Sequence, residues 1–546
     1  MTTRKEIADI IFPEVTETIH NLEKKYPPRK NPICSRFAPS PTGFLHIGGI
    51  YSAFVSRKFA KQNNGTFFLR IEDTDQKREI EGTVGLIIDG MKTFGIQIDE
   101  GPIGDNSSDI GNYGPYTQSQ RKHLYNIFAK YLLENGLAYP CWMTTEELES
   151  IRDQQTKTKV TPGIYGNYSI RRNKTPEEVL AKLQTSKEFV IRFRSPGAVG
   201  QRMVFEDVIK GKIETTDNYN DIVVIKGDAL PTYHLAHIVD DFLMRTSHVI
   251  RGEERLASVP LHIQLFTAFG LQYPQYCHVA PLLKLDNGNK RKLSKRHDPE
   301  ADIGFFFENG YAMQGIIEYL LTIVDPNFEE RQKANSDKSY LDFEIHLDKM
   351  GKSGALFDLV KLQSVNNNYL SRISTDELYD QSLVRALKYK PELAKLMQND
   401  VDYVKAAINI ERHTAKDPKR FTTYADIETQ LKFFFDDERT NLQINKPTLP
   451  EICTAEVMKP FVEEYSQAMN LDMTVEEWFA QLKEIGKKYG FAGNNGEFKE
   501  GGYIGKIGDL AMFLRIQLCC AAQTPDLYSV MQVMGKERVV RRLGTM

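Results

Sequence analysis

A histidine and two glycines stand where the sequence predicts a loop between a strand and a helix. They end the segment Arg36-Phe-Ala-Pro-Ser-Pro-Thr-Gly-Phe-Leu-His-Ile-Gly-Gly49. The start of a helix exposes backbone N–H groups and the positive end of the helix dipole, so it favours anions. Because Gly48 and Gly49 lack a Cβ atom, a phosphate or a flat ligand can approach their backbone closely. Taken alone, His46-Ile-Gly-Gly49 is more often an ordinary strand-to-helix turn, and the flanking residues reverse that balance.

Two charged clusters lie elsewhere in the chain. Glu72-Asp-Thr-Asp75 follows a predicted strand over 66–71, and the basic run Lys290-Arg-Lys-Leu-Ser-Lys-Arg-His297 follows a predicted loop. Ligands of open α/β sheets bind at the carboxyl ends of the strands, where the first cluster is expected. The alternatives are a cap by Asp73 or Asp75 for a helix near 78–93, and a solvated face for the basic run.

The elements that would position these residues predict an α/β domain. A strand ending near Ala38, a helix ending near Gln62 and the strand over 66–71 make one βαβ unit, which predicts a parallel sheet. The apolar run over 221–225 and the segment 248–254 predict that this sheet resumes after an insertion. Beyond residue 300 the pattern is almost wholly helical, so the fold class is predicted to be multidomain.

Composition limits the class of protein. With 546 residues the chain is long enough for several domains. Its net charge of −3 gives no global bias toward nucleic acid, so such a partner would need a local basic surface. The six cysteines include no CxxC pair, which predicts reduced thiols in an intracellular protein. No apolar run approaches the ~20 residues of a membrane span, and the acidic N-terminus is unlike a signal peptide.

Together, these segments resemble the class I glutamyl-tRNA synthetases. His46-Ile-Gly-Gly49 is similar to their form of the HIGH signature, and Lys292-Leu-Ser-Lys-Arg296 is similar to their form of KMSKS. The resemblance covers the chain from about residue 33 to the C-terminus. Further similar stretches are 69–75, 114–121, 230–236, 239–241, 249–254, 352–358 and 535–539.

The resemblance implies that the chain activates glutamate with ATP and transfers it to tRNA, and that activation needs tRNA. Attack of a carboxylate on the α-phosphate requires no protein nucleophile, only two anions held in line and cations where charge develops. The residues that the resemblance assigns to catalysis are His46, Gly48, Gly49, Lys292, Ser294, Lys295 and Arg296. Those that it assigns to ATP are His46, Glu254, Leu283 and Lys295.

For the amino acid, the resemblance implies that Arg36 and Arg251 hold the carboxylates, because the planar guanidinium binds a carboxylate with two hydrogen bonds. Glu72 would receive the α-amino group, since an ammonium in a closed pocket needs an anionic partner. The alternatives are internal ion pairs for the two arginines and core packing for Tyr233. The full glutamate set is Arg36, Ala38, Ser40, Glu72, Tyr233, His237 and Arg251.

Several departures bear on these expectations. His237 stands where members often have Asn, and Arg255 stands where many have Trp. Glutamine fits less well as substrate, because glutaminyl-tRNA synthetases carry Pro-Glu-Pro-Asn-Gly where this chain has Pro39-Ser-Pro-Thr-Gly43. Some bacterial members bind zinc through a Cys-x-Cys pair, but Cys141-Trp-Met143 keeps one thiol, and a lone Cys cannot make a tetrahedral site. The expected cofactors are ATP and Mg²⁺ carried on the nucleotide, with no metal site in the protein and no zinc.

The implied partners are L-glutamate, ATP and tRNA(Glu), and the protein is expected to be a cytoplasmic monomer with no membrane contact. The insertion would bind the acceptor end of tRNA, and basic side chains such as Arg541 and Arg542 would contact its phosphates. Whether tRNA(Gln) is also charged stays open. The alternatives are a catalytically inactive tRNA-binding paralogue, against which His46 and Lys295 argue, and another nucleotidyltransferase, against which the helical C-terminal half argues.

The resemblance gives a Rossmann-like class I catalytic domain with an inserted α+β domain, followed by all-α anticodon-binding domains. The predicted order along the chain is an N-terminal helical extension and linker (1–32), the first catalytic half (33–115), the inserted acceptor-binding domain (116–221), the second catalytic half (222–285), the KMSKS loop with a stem-contact helical domain (286–369) and the helical anticodon-binding domains (370–546).

Overall fold

The computed structural model of the chain describes residues 3–43, 45–105, 108–335, 338–412 and 420–545. The chain forms two compact units, Met1–Ile303 with Leu320–Asp358, and Gly304–Tyr319 with Leu359–Met546. All six cysteines are buried and free of disulfides. Within the described residues, no helix is both long and apolar enough to cross a membrane. The finer six-part division along the chain stays a prediction.

The N-terminal helices are α1 (Arg4–Ile11), α2 (Ile19–Lys25), α3 (Ile47–Gln62), α4 (Thr83–Thr93), α5 (Lys122–Glu134), α6 (Thr145–Lys157), α7 (Pro176–Thr185), α8 (Tyr233–Leu243) and α9 (Val259–Ala268). The later helices are α10 (Ile303–Glu308), α11 (Met313–Val324), α12 (Asn327–Ala334), α13 (Leu359–Arg372), α14 (Thr375–Tyr389), α15 (Pro391–Asn399), α16 (Val401–Asn409), α17 (Tyr424–Leu431), α18 (Asp436–Leu442), α19 (Ala455–Ala468), α20 (Val475–Lys488), α21 (Asn495–Glu500), α22 (Ile507–Cys519), α23 (Leu527–Met534) and α24 (Lys536–Leu543).

The strands are short and most lie in the first unit. They are β1 (Cys34–Phe37), β2 (Thr66–Leu69), β3 (Gly101–Pro102), β4 (Asp109–Ile110), β5 (Ala138–Cys141), β6 (Val190–Phe193), β7 (Arg202–Asp207), β8 (Gly211–Thr216), β9 (Val223–Ile225), β10 (His248–Gly252), β11 (Gln275–Val279), β12 (Leu282–Asp286), β13 (Asn289–Lys292), β14 (Ala355–Leu356), β15 (Phe491–Ala492) and β16 (Gly505–Lys506).

The predicted βαβ unit is confirmed by β1, α3 and β2. The two strands pair in parallel, with Cys34 opposite Thr66 and Phe37 opposite Leu69. Because α3 begins at Ile47, the chain between β1 and α3 forms a loop at the carboxyl end of β1. The histidine and glycines of the first motif therefore lie at the sheet edge where ligands of α/β folds bind.

A second group of strands brings another loop to the same edge. The strands follow the order β10-β11-β7-β8, with β10 and β11 parallel and β7 and β8 antiparallel. The backbone N–H of Ser247 donates to the carbonyl of Cys34 at 2.9 Å, which places the start of β10 beside the start of β1. Parallel strands share one carboxyl edge, so Arg251 near the end of β10 faces the loop that follows β1.

The prediction for residues 221–225 is wrong in part. These residues do contain a buried strand, β9, but β9 pairs antiparallel with β6, which in turn pairs antiparallel with β5. The parallel sheet therefore does not resume at Asp221. A short apolar run is compatible with either kind of sheet, because periodicity does not specify the partner strand.

Helix α4 begins later than predicted and is capped differently. Its N-cap is Gly82 at a φ of 79°, a backbone conformation that glycine adopts without steric cost. Asp73 instead accepts a hydrogen bond from the backbone N–H of Ser119 at 2.8 Å. Asp75 forms an ion pair with Arg78 at 2.6 Å. The alternative in which one of these carboxylates caps the helix is therefore wrong.

The N-terminal extension is part of the core of the first unit. The predicted helical extension is two helices, since α1 ends at Ile11 and α2 begins at Ile19, with Pro13 between them. After α2, the guanidinium of Arg29 donates to both oxygens of Glu100 at 2.8 and 2.9 Å. Its Nε also donates to the carbonyl of Met244 at 3.0 Å. The core residues that the extension contributes are Ala8, Phe12, Val15, Leu22 and Tyr26.

The second unit has its own helical core, and it corrects one expectation about tRNA contacts. Arg542 is 2% exposed, and its guanidinium donates to Asp436 at 2.7 Å and to the carbonyl of Leu518 at 2.9 Å. A side chain bound in this way is not available to a phosphate, so the prediction for Arg542 is wrong. Arg541 lies on the exposed side of α24, because neighbouring residues point about 100° apart around a helix.

We expect Arg29→Ala to detach the N-terminal extension. Removing one partner of a buried ion pair leaves Glu100 buried without its counter-charge, which costs about 3–5 kcal/mol. Urea unfolding followed by hydrogen exchange of the α1 and α2 amides measures this loss. The control is Lys24→Ala, since Lys24 is exposed on α2 and such changes stay within about 0.5 kcal/mol. Equal protection of α1 and α2 in both variants would contradict the assigned role of Arg29.

Candidate active site

A cleft of about 380 Å³ lies at the carboxyl ends of β1 and β10. The loop after β1, the start of α3, the start of α8 and the turn between β11 and β12 form its wall. Its volume is in the range of small-molecule sites. The predicted site residues that line it are Arg36, Ala38, Ser40, His46, Gly48, Gly49, Glu72, Tyr233, Arg251, Glu254 and Lys292.

His46 is the N-cap of α3. Its Nδ1 atom accepts a hydrogen bond from the backbone N–H of Gly48 at 2.8 Å, and its carbonyl accepts from Gly49 at 2.7 Å. An Nδ1 that accepts cannot carry a proton, so the neutral ring has its proton on Nε2. The helix start thus uses one of its own N–H groups to orient the imidazole, and the ring proton lies on Nε2.

Burial and nearby cations keep this ring neutral. Burial is the largest effect that lowers the pKa of His46 below its ordinary value, and the charges of Lys295 and Lys292 lower it further. A hydrogen bond with the backbone of Leu293 and the charge of Asp302 oppose this shift without cancelling it. The two signature segments are therefore close enough to influence each other's charge.

The basic segment is ordered by an acid that the sequence analysis did not single out. Asp298 is 1% exposed and accepts hydrogen bonds from both terminal nitrogens of Arg291, at 2.6 and 2.8 Å. It also accepts the backbone N–H of Ser294 at 2.9 Å. The hydrogen bonds from Arg291 are the largest effect, and they hold the pKa of Asp298 well below its usual range. Asp298 thus fixes the chain direction immediately before Lys295.

The remaining residues of this segment differ in their relation to the cleft. Lys292 lines it, and its Nζ donates to Glu254 at 3.1 Å. Lys295 and Arg296 are exposed, and Ser294 is half-buried beyond the end of β13. Leu283, predicted to contact ATP, is half-buried in β12, whereas its neighbour Leu282 lines the cleft.

Arg36 lies at the cleft wall and also forms the internal ion pair that the sequence analysis gives as its alternative role. It lines the cleft, and its Nε also forms an ion pair with Asp241 at 3.2 Å. Its Nη1 donates to the carbonyl of Ile250 at 3.4 Å, which ties β1 to β10. Burial alone would raise the pKa of Asp241, but Arg36 and Arg70 lower it to about 2. The carboxylate is therefore ionised and holds Arg36 at the cleft wall.

Arg70 extends this network to Glu72. The Arg70 guanidinium is fully buried, and it donates to Asp241 at 2.7 Å and to Glu72 at 3.1 Å. Asp240, the neighbour of Asp241, accepts from Arg121 at 2.6 Å. Two successive acids at the end of α8 thus bind arginines from three separate segments. The consequence for the site is that Glu72 projects into the cleft from a fixed position.

Arg251 is held without a carboxylate. Its Nη1 donates to the hydroxyl of Tyr233 at 2.9 Å, and its Nε donates to Nε2 of His278 at 3.0 Å. Among the described residues, no acid forms an ion pair with Arg251. The alternative that Arg251 serves an internal ion pair therefore does not hold within that part of the chain. The guanidinium of Arg255 lies 4.4 Å from the centre of the Tyr233 ring, at the mouth of the cleft. Tyr233 therefore lines the cleft and packs against cations at once.

His237 lies behind the cleft wall and not on it. The ring is fully buried, 5.7 Å from that of Tyr233, and its Nδ1 is 3.0 Å from Asp241. Burial is the main effect that keeps the pKa of His237 well below its ordinary value. A neutral, buried His237 supports Tyr233 from behind, which differs from the substrate contact that was predicted for it.

Several residues that shape the site were missed in the sequence. Arg70 and Asp298 lie within or beside the quoted motifs, but nothing in their spacing identifies their partners. Their charge was the available signal, since a charged residue inside an apolar pattern needs a buried partner. No group of three or more His, Cys, Asp or Glu side chains in the described ranges is arranged to hold a metal ion.

Comparison with known proteins identifies the family. Residues 32–363 match the family described as tRNA synthetases class I (E and Q), catalytic domain, and residues 392–546 match an anticodon binding domain. The chain is 42% identical over 544 residues to a glutamate–tRNA ligase of Clostridium perfringens, covering 99% of this chain and 100% of the relative. The chain belongs to the glutamate–tRNA ligase family. The catalytic family match spans the complete cleft, including both signature segments.

Two further comparisons extend over nearly the whole chain. A glutamate–tRNA ligase of Clostridium beijerinckii is 43% identical over 544 residues, with 98% of each chain covered. The crystal structure of a glutamate tRNA ligase from Elizabethkingia meningosepticum in complex with its amino acid is 29% identical, with a TM-score of 0.73. That comparison covers 94% of this chain and 98% of the other. The multidomain class I fold predicted from the sequence is thereby confirmed.

We expect Gly48→Ala to displace the His46 ring, because a Cβ at residue 48 would lie 3.1 Å from Nδ1. The matched control is Gly49→Ala, whose Cβ would meet the end of the flexible Leu45 side chain at 3.3 Å. Nitrogen-15 NMR of the His46 ring reports the tautomer. The Nε2–H form should dominate in the wild type and in Gly49→Ala, and it should lose its preference in Gly48→Ala. An unchanged tautomer in Gly48→Ala would contradict the role given to the Gly48 N–H.

Proposed function

We propose that this chain ligates L-glutamate to tRNA(Glu) in two steps driven by ATP. The carboxylate of glutamate attacks the α-phosphorus of MgATP, which forms glutamyl-adenylate and releases pyrophosphate. A hydroxyl of the terminal ribose then attacks the mixed anhydride and releases AMP; by family resemblance this is the 2′-hydroxyl. The observation that carries the proposal is that one cleft contains Arg36, Arg251 and Glu72 together with His46 and Lys292.

The charges of the cleft fit glutamate. The substrate has two carboxylates and one ammonium, and the cleft offers two guanidiniums and one carboxylate. Since no acid in the described residues pairs with Arg251, its positive charge remains for a carboxylate of the substrate. Glu72 is fixed by Arg70 and accepts the ammonium. Glutamine would leave one guanidinium without a counter-charge, which disfavours it because an unpaired buried charge is costly.

The loop residues fit the triphosphate of the substrate MgATP. Nε2–H of His46 exchanges its hydrogen bond with the backbone of Leu293 for one to a phosphate oxygen, and the backbone at Gly48 and Gly49 allows the nucleotide to approach α3. Lys295, with Lys292, Ser294 and Arg296 from the same segment, neutralises the charge that develops on the leaving pyrophosphate. Glu254 holds Lys292 until the nucleotide replaces that contact.

The second unit supplies the surface for tRNA. Its residues 392–546 match an anticodon binding domain, and phosphate contacts there make binding depend on salt. Arg541 is the candidate that stays exposed, at 62%, although it also pairs with Asp436, so a phosphate would compete with that carboxylate. The protein is proposed to act as a cytoplasmic monomer, and the assay below includes tRNA(Gln) because the sequence leaves that second acceptor open.

We expect the chain to act without zinc. Cys141 is buried in β5. Met143 stands at the position where a Cys-x-Cys pair would have its second cysteine. Elemental analysis of the purified protein should find far less than one zinc per chain. Cys141→Ser, which keeps the size of the side chain, should leave glutamate charging unchanged. One tightly held zinc per chain that is lost in Cys141→Ser would overturn this expectation.

ATP–pyrophosphate exchange tests the function itself. With glutamate and tRNA(Glu), the wild type should exchange, and it should not do so with glutamine. Lys295→Ala should lower the rate about 10²–10³-fold, as for loss of one charge-stabilising donor, with tRNA affinity unchanged. Lys290→Ala is the matched control, because Lys290 is an exposed lysine of β13 that does not line the cleft and, unlike Lys295, is not among the charges that lower the pKa of His46.

Absence of exchange by the wild type in the presence of cognate tRNA, with tRNA binding intact, would favour the inactive paralogue. Exchange by Lys295→Ala at the wild-type rate would remove the role of that lysine without affecting the function. Charging of tRNA(Gln) by glutamate in the same assay would extend the acceptor range.

A further inference from the structure

The protein contacts of Arg251 leave part of its guanidinium for a ligand. The side chain has five N–H groups, and the structure gives acceptors within the described residues for three of them. Nε donates to His278 at 3.0 Å, Nη1 to the hydroxyl of Tyr233 at 2.9 Å and Nη2 to the carbonyl of Arg255 at 3.3 Å. One N–H remains on each terminal nitrogen, which is the pair that a carboxylate can accept.

The acceptor for Nε depends on the tautomer of His278. Its Nδ1 lies 2.6 Å from Oδ2 of Asp207, and both residues are buried to 1% exposure or less. Because Nε2 accepts from Arg251, the proton of the neutral ring is on Nδ1 and is donated to Asp207. Asp207 is fixed in turn, since it accepts the backbone N–H groups of His278, Ile209 and Lys210 at 2.9–3.3 Å.

The three side chains come from separate strands of one sheet. Asp207 ends β7, His278 lies in β11 and Arg251 lies in β10, and both strand pairs are parallel. The parallel register places Arg251 opposite His278. The chain Asp207–His278–Arg251 thus crosses the sheet at its carboxyl edge, and it ends at the cleft wall.

We propose that Asp207 and His278 are positioning residues that aim Arg251 at a carboxylate of the amino-acid substrate while leaving its charge unpaired. The inference rests on the proposed function, since it names the substrate as an acidic amino acid. A carboxylate placed directly against Arg251 would orient it but would also neutralise it. The neutral imidazole of His278 lies between Arg251 and Asp207. It accepts the hydrogen bond from Arg251 and is itself fixed by Asp207, so the carboxylate of Asp207 does not contact the guanidinium.

The charges around His278 favour the neutral ring. Burial is the largest effect that lowers the pKa of His278, and Arg251 and Lys210 lower it further, whereas Asp207 raises it. Tyr276 stacks on the ring at 6.0 Å and has no charge, since burial raises the pKa of its hydroxyl far above the neutral range. Protonation would put an N–H of His278 against the Nε–H of Arg251 and would break their hydrogen bond.

Paired substitutions of His278 test the proposal. His278→Leu removes the acceptor, and His278→Gln can return an acceptor oxygen near the place of Nε2. His278→Leu should raise the KM for glutamate about 10- to 100-fold, as for loss of a supporting hydrogen bond at a buried site, and leave the KM for ATP unchanged. His278→Gln should recover most of the loss. Glutamate and ATP KM values that rise together in both variants would indicate a structural role only and overturn the proposal.

The acidic partner and the pH profile give a second test. In Asp207→Asn the amide can donate to Nδ1, so the proton can move to Nε2 and face Arg251; the KM for glutamate should rise as in His278→Leu. In the wild type the KM for glutamate should rise as the pH falls through the pKa of His278, which burial lowers below its ordinary value, and this rise should be absent in His278→Gln. A wild-type KM for glutamate in Asp207→Asn, or the same pH profile in His278→Gln, would overturn the proposal.

The wild-type enzyme separates this inference from the proposed function. If the wild type charges tRNA with glutamate and the variants keep its KM for glutamate, the positioning role is wrong and the function stands. If the wild type charges no glutamate, the proposed function fails first, and the positioning role for an acidic amino acid fails with it.

Discussion

One buried carboxylate fixes much of the site. Asp241 is fully surrounded by protein, and its Oδ1 atom lies within hydrogen-bonding distance of both Arg36 and Arg70. Two cations of the same charge can be buried side by side only if an anion lies between them. Arg36 comes from β1, Arg70 from the end of β2 and Asp241 from α8, so the ion pairs also join three elements of the first unit. Moving Asp241 away would remove the acid that pairs with Arg36 in the described part of the chain.

The two arginines of the cleft are held by different means, and the difference has a chemical meaning. Arg36 contacts a carboxylate directly, so its charge is already partly balanced before any ligand arrives. Arg251 is oriented by a neutral histidine, a tyrosine hydroxyl and a backbone carbonyl. Arg36 therefore shares its charge with Asp241, whereas Arg251 has no ion pair with an acid among the described residues.

The parts of the structure that could be predicted are local in sequence. The βαβ unit follows from one apolar strand, a helical pattern and a second strand. The position of His46, in the loop between the first strand and the helix, follows from the same pattern. The errors concern pairings over long distances. The strand over 221–225 was assigned to the wrong sheet, because four apolar residues do not identify their partner. The charge of Arg542 predicts an exposed residue, yet Asp436, far away in the sequence, accepts its hydrogen bonds inside the protein.

The supporting residues were unpredictable for the same reason. Asp207 and His278 lie 71 residues apart, and neither belongs to a quoted signature. Their contact is a result of strand order, in which β7 and β11 become neighbours although β8, β9, α8, β10 and α9 lie between them in the chain. A signature names the groups that touch a ligand, whereas the groups that hold them follow from the topology.

The two signature segments meet at a single imidazole. Nδ1 of His46 is bound by the first turn of α3, and a further hydrogen bond joins the ring to the backbone at Leu293, between Lys292 and Lys295. Because these lysines lower the pKa of His46, the same charges that attract a triphosphate also keep the ring in the neutral form, in which Nδ1 remains an acceptor. A protonated His46 would lose the hydrogen bond from Gly48 and with it the fixed ring orientation. The cations of the second segment thus help to preserve the ring geometry of the first.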